Sequence, residues 1–212
     1  MAAWCYVWRK LNGWTTDRAK ETAETARLAR RAAELGPDDA VALSQAAHAL
    51  ANTSVLGDLD DAVTFVDRAL ALNANLAGAW RASGWIRVIR GESETAVEHF
   101  ARAMRLSPLD PQIIRVQAGT ALAHLLAGRY DEASYWAEKA MWAQNYLTPR
   151  GVAVVSHALA GRVTEAKRAL ARLLELDPTA RIANVKEWAP LHRREDLETL
   201  ERGLRLAGLP EY

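Results

Sequence analysis

"GRYDEA" occupies residues 128–133, and three other stretches share its pattern: "GDLDDA" at 57–62, "GESETA" at 91–96 and "GRVTEA" at 161–166. The glycines Gly57, Gly91, Gly128 and Gly161 follow one another at steps of 34, 37 and 33 residues. Each stands five residues ahead of an alanine: Ala62, Ala96, Ala133 and Ala166. Four residues further come Val66, Phe100, Ala137 and Leu170, and three beyond those Ala69, Ala103, Ala140 and Leu173. Steps of four and three keep these side chains on one helix face, and small residues there let a neighbouring helix approach closely. The glycine suits a left-handed residue just past a helix end. Asp60, Asp131 and Thr164 are then expected to cap the following helix, with Ser93 or Thr95 near the same place in "GESETA". Each hexapeptide thus predicts the tight turn of a helical hairpin. Phrases such as "AMRLSPLDP" and "LLELDP" close the pattern, because proline cannot continue a helix.

A further amphipathic helix precedes each turn. The stretch "AGAWRASGWIRVIRG" at 77–91 carries Trp80, the small pair Ser83 and Gly84, and the turn glycine. Residues 77–108 supply Trp80, Gly84, Ala96, Phe100 and Pro108 in an order and spacing that resemble the tetratricopeptide repeat. Arg87 departs from that pattern, standing where an aromatic or aliphatic residue is usual. The resemblance implies an all-α fold, a right-handed solenoid of antiparallel helix pairs. The expected divisions are a first, irregular repeat at 1–39, four repeats at 40–76, 77–110, 111–146 and 147–180, and capping helices at 181–212. The irregular repeat begins abruptly in helix-like sequence, as a fragment with an added Met1 would. Leu43 to Gly57 is three residues longer than Trp80 to Gly91, so the first helix or turn of the 40–76 repeat is stretched. At the far end, "ARIANVKEWAP" reads as a helix ended by Pro190. "REDLETLERGLRLAGL" reads as a capping helix with Leu197, Leu200 and Leu204 on one stripe and Gly208 at its end.

Composition narrows the function classes. The 212 residues hold 27 Lys plus Arg against 26 Asp plus Glu, so overall charge gives no support to nucleic-acid binding. "ARLARRAAELG" and "HRREDLETLERGLR" interleave acids with bases and read as solvated helix faces. The single cysteine, Cys5, excludes an internal disulfide and a cysteine-based zinc site within one chain, and fits a reducing, cytoplasmic setting. No apolar run approaches the ~18 residues of a membrane-spanning helix. The opening "MAAWCYVWRK" lacks a basic leader and a clear cleavage pattern. No HExxH, GxSxG or phosphate-binding glycine loop occurs, so no catalytic, metal or cofactor-binding residue is expected. His124 and His157 stand at equivalent positions, four before their turn glycines, which argues for a shared packing role rather than ligation.

Longer phrases carry a narrower resemblance. "AWRASGWIRVIRGESETAVEHFARAMRLSPLDP", "AHLLAGRYDEASYWAEKA", "SHALAGRVTEAKRALARLLELDPTARI" and "LRLAGLPE" are similar to the C-terminal repeat regions of bacterial class III adenylate/guanylate cyclase-like proteins, familiar from rhizobia. Related regions follow winged-helix DNA-binding domains in some bacterial regulators. The resemblance implies a catalytic domain N-terminal to the repeats, which nothing here matches, and no active-site residue carries over. The aspartates fall in turns and caps, not on a strand-rich scaffold that would hold catalytic metal ions.

The expected role is non-enzymatic binding of a protein or peptide segment in a groove lined by the first helices of the repeats. Counting from Trp80, the lining residues are Arg81, Trp85 and Ile89, with Ser44, His48 and Asn52 one repeat earlier and Ala118, Leu122 and Leu125 one repeat later. Packing of Trp85 on an adjacent helix is an equal alternative. The chain lacks the lysine and asparagine set that clamps chaperone tails. Among eight tryptophans, Trp4, Trp8 and Trp14 lie on a first helix without an evident mate, where an exposed apolar patch would drive homodimerisation. Two further classes stay open: a self-association module that brings catalytic domains together, and a small-ligand sensor.

Overall fold

Three of the four hexapeptide glycines take the left-handed conformation that the pattern requires, with φ of 78° at Gly91, 75° at Gly128 and 76° at Gly161. These values come from a computed structural model, which describes residues 2–11, 14–53, 56–141, 147–189 and 191–212. The three turns share one hydrogen-bond arrangement. Gly128 N–H donates to the Leu125 carbonyl (3.0 Å) and Arg129 N–H to the His124 carbonyl (2.9 Å). Gly161 with Arg162, and Gly91 with Glu92, repeat this pairing toward Ala158 with His157 and Val88 with Arg87. This is the Schellman helix ending, which satisfies two terminal carbonyls and sets the residue after the glycine beside the residue five before it.

Gly57 departs from the expectation, because it lies inside a helix, α4 (Leu56–Leu72). The preceding α3 (Ala40–Ala51) ends without a left-handed glycine. The Asn52 amide donates to the His48 carbonyl (2.8 Å) and the Thr53 hydroxyl to the Leu50 carbonyl (2.8 Å), so polar side chains satisfy the terminal carbonyls instead. The longer interval from Leu43 to Gly57 carries the glycine past the turn. The expected capping roles also need correction. α8 (Tyr130–Ala140) and α10 (Val163–Leu176) start immediately after Arg129 and Arg162. Asp131 and Thr164 therefore lie within the first turn, and Asp60 is five residues into α4. α6 (Ser93–Leu106) likewise begins at Ser93. An acid in the first turn is still favourable, since it faces the positive end of the helix dipole.

The four-and-three periodicity is a packing pattern. Ala62, Val66 and Ala69, with their counterparts in the other three repeats through Leu170 and Leu173, are all buried. Pro37, Pro108 and Pro178 each stand two residues beyond a helix end, at Leu35, Leu106 and Leu176.

Two compact bodies are present, residues 1–86 with 101–108 and residues 87–100 with 109–212. In the first, α1 (Ala2–Leu11) packs on α2 (Arg18–Leu35) and α3, and α3 packs on α4. Most of α5 (Ala77–Arg90) also belongs here, where the Trp80 indole donates to the Ala74 carbonyl (2.8 Å). In the second, α7 (Ile113–Leu126), α8, α9 (Leu147–Leu159) and α10 pack in series, and α7 also touches α9.

The C-terminal segment begins with a 3-10 turn, Ile182–Asn184, and a single-turn α11, Val185–Trp188. It is shorter than the helix expected there, and Pro190 lies outside the described residues. α12 (Arg194–Ala207) packs on α9 with Leu197, Leu200 and Leu204 buried, and ends at the left-handed Gly208. The tail then turns back: Ile182 N–H donates to the Pro210 carbonyl (3.0 Å) and Ala183 N–H to that of Glu211 (3.1 Å).

Candidate functional site

The expected groove residues are mostly interior. Ser44, His48, Trp85, Ile89, Ala118, Leu122 and Leu125 are buried, while Asn52 and Arg81 are half-buried. The physical reason is clearest on α7, which carries buried side chains all round, from Val116 through Leu125. A helix buried on every side has no face left to display. On α3, His48 sits under Trp4 of α1, with ring centroids 4.7 Å apart and planes tilted by 49°. Counting from Trp80 thus selected faces turned toward neighbouring helices.

The N-terminal tryptophans divide. α1 is not unmated: Val7 is buried, and Arg9 makes a bidentate ion pair with Glu21 of α2, at 2.8 and 3.1 Å. That guanidinium holds the Glu21 carboxyl well down, at about 2. The Lys10 ammonium donates to the Asn52 carbonyl (2.5 Å), and burial pushes its pKa down to about 8. Trp4 is accordingly half-buried, whereas Trp8 and Trp14 remain 44% and 65% exposed. Trp142 lies outside the described residues.

The turns carry a side-chain device that the sequence reading missed. Because the Schellman ending juxtaposes the two positions, Arg129 Nε donates to His124 Nδ1 (2.8 Å) and Arg162 Nε to His157 Nδ1 (3.0 Å). The same two arginines reach back one repeat. Arg129 pairs with Glu94 at the start of α6, and Arg162 with Asp131 at the start of α8. Each arginine therefore ties its own turn to the preceding one. At the α5–α6 turn the two positions hold Arg87 and Glu92, and Arg87 Nη1 donates to Glu92 Oε2 (2.8 Å). The residue that departed from the repeat pattern thus makes the same pairing with donor and acceptor exchanged. The signal lay in the "GR" of "GRYDEA" and "GRVTEA", five residues after a histidine.

An arginine donating to Nδ1 fixes the ring proton on Nε2 and requires a neutral imidazole. Burial, and then the adjacent arginine, lower the pKa of both histidines. The folded state therefore binds fewer protons than the unfolded chain just below the ordinary histidine pKa of 6.5. This contribution to stability is fully present above pH 6.5 and declines as pH falls toward the lowered folded-state values. Urea midpoints measured between about pH 7.5 and 5 are expected to fall in the native chain. They fall less in an H124Q/H157Q double variant, which cannot titrate at those positions.

Open clefts are the remaining features. One of about 300 Å³ lies in the first body beneath α1, lined by Tyr6, Lys10, Thr15, Glu21 and Thr53 among others. A larger one, about 510 Å³, lies in the second body between α8, α9 and α10. Arg150, Arg168 and Arg172 converge on it, with His157 at its wall and Glu138 and Glu165 beside them. Among the described residues there is no group of three or more metal-capable side chains, and no helix long and apolar enough to cross a membrane.

No protein-family model and no curated protein matches the chain. Solved structures do match in fold. PilW, a widely conserved type IV pilus biogenesis factor, superposes with a TM-score of 0.68 at 13% identity, over 98% of this chain and 89% of its own. A thermophilic tetratricopeptide-repeat protein of Thermus thermophilus gives 0.61 at 20%, over 89% and 92%. YrrB, a tetratricopeptide-repeat protein with an unusual peptide-binding site, gives 0.57 at 21%, over 85% and 93%. The fold is accordingly all-α and tetratricopeptide-like.

Proposed function

We propose that the chain is a non-enzymatic protein-interaction module that binds a segment of another protein. The observation that supports this most is where its polar chemistry is spent. The two conspicuous histidines are tied into turn pairs, while three arginines face an open cleft on a repeat surface. Catalysis needs a nucleophile or acid–base group poised near a reacting atom. A binding face needs only displayed side chains held in register. The finer reading is a cytoplasmic regulatory region of a bacterial class III cyclase-like signalling protein. It is supported by the resemblance of the long repeat phrases and by the single cysteine. Asn52, at the end of α3, and Arg81, on α5, are half-buried and remain part of the proposed binding surface.

The test is selection from a random-peptide display library against the folded chain. Saturable complexes of one peptide per chain are expected. A library that yields none overturns the reading. Self-association is the second reading, favoured by the exposure of Trp8 and Trp14. It requires a mass that rises with concentration and returns to the monomer value in a Trp8→Ala variant.

A further inference from the structure

We infer that the cleft between α8, α9 and α10 is a docking site for an acidic segment of a partner protein, read by Arg150, Arg168 and Arg172. This deepens the proposed function and rests on it.

The placement follows from helix periodicity. Arg150, Ala153 and His157 recur at three- and four-residue steps and share one face of α9. Glu165, Arg168, Ala169 and Arg172 do the same on α10. Arg168 and Arg172 stand four residues apart, about 6 Å along the helix axis. That separation matches two carboxylates one helical turn apart, or alternate side chains of an extended strand. Ala153 and Ala169 leave the floor of the cleft low, so a backbone can approach the guanidiniums.

The charge on the α10 side of the cleft is open. Many arginines elsewhere are engaged by carboxylates, as in Arg9 with Glu21, Arg30 with Asp58 and Asp61, and Arg205 with Glu211. Arg168 and Arg172 make no ion pair among the described residues, although Glu165 lies on the same face one turn away. Their planar donor forks stay open for bidentate carboxylate recognition. His157 adds a directed donor. Its Nδ1 accepts from Arg162, so its Nε2–H points toward the cleft side, 3.8 Å from Glu138 Oε1. Glu138 and Glu165 flank the arginines and repel an acid placed out of register. They set the position of the segment and favour a basic residue at its edge.

The test uses the full chain and a fluorescein-labelled tetraglutamate peptide, with tetralysine and free citrate as comparison probes. Saturable tetraglutamate binding is expected, weakened about tenfold or more in an R168A/R172A double variant through loss of charge-assisted hydrogen bonds. Those side chains are exposed, so unchanged circular dichroism and urea midpoint show that the fold is kept. An E138Q/E165Q variant binds more tightly, and raising salt from ~50 to ~500 mM weakens the complex as the charges are screened. Binding that ignores R168A/R172A overturns the assignment, as does no tetraglutamate binding. Citrate binding with the same arginine dependence, without peptide binding, replaces the partner segment with a small carboxylate. If library peptides bind elsewhere while tetraglutamate does not bind, the interaction module stands and this site falls.

Discussion

Replacing Phe100 with alanine lowers the unfolding free energy by about 3–5 kcal/mol, the usual cost of emptying a fully buried aromatic site. Phe100 is the largest fully buried side chain among the described residues and sits at the second step of the repeat face in "GESETAVEHF". Its ring lies against Gly119 of α7, where an added Cβ would overlap three ring atoms. The ring occupies the space that any side chain at that glycine would need. Gly119→Ala alone is therefore expected to destabilise by about 1–3 kcal/mol through overpacking, despite the better helix propensity of alanine. In the Phe100→Ala background the added methyl enters the vacated volume, and the same substitution becomes neutral or stabilising. Urea unfolding of the four species measures that coupling. Strictly additive effects would show that ring and glycine do not pack as described.

Introducing valine at Gly203 detaches α12 from α9. A Cβ there would stand 3.0 Å from the Val155 backbone Cα and 2.5 Å from its Cγ1, so the neighbour that must give is main chain as well as side chain. A β-branched residue adds a second clash, and about 1–3 kcal/mol or more is lost. Leu200 and Leu204 lose their cover together, since they share the face that Gly203 lets approach. Hydrogen exchange is expected to quicken across α12 and along the facing side of α9, while α3 and α4 keep their protection. A Val155→Ala partner substitution restores part of the loss. Unchanged exchange in α12 would contradict the close approach.

The hairpin pattern was legible because it is written in glycine and alanine at fixed spacing, and backbone conformation leaves few substitutes for either. Gly91, Gly128 and Gly161 took the left-handed form, and every alanine five residues after the four hexapeptide glycines is buried. Gly57 misled, because Asn52 and Thr53 end α3 by side-chain hydrogen bonds, a solution with no periodic signature. Asp131 read as a cap from its residue type, but its carboxylate pairs with an arginine one repeat away, and that partnership is tertiary. The burial of most of the groove residues has a related reason. Spacing tells which residues share a face, and Leu122 and Leu125 do; it does not tell which face a neighbouring helix covers. The α8–α10 cleft was invisible in sequence because Arg150 comes from α9 and Arg168 and Arg172 from α10, and each alone looks like a solvated side chain.

The chain is expected to bind a protein segment as a single copy. Static light scattering across about a hundredfold range of concentration, with and without a library-selected peptide, tests it most directly. The expected result is the mass of one 23.4 kDa chain throughout, rising by one peptide at saturation. A dimer at all concentrations that takes up no peptide would contradict it and move the function to the exposed tryptophans of the N-terminal region.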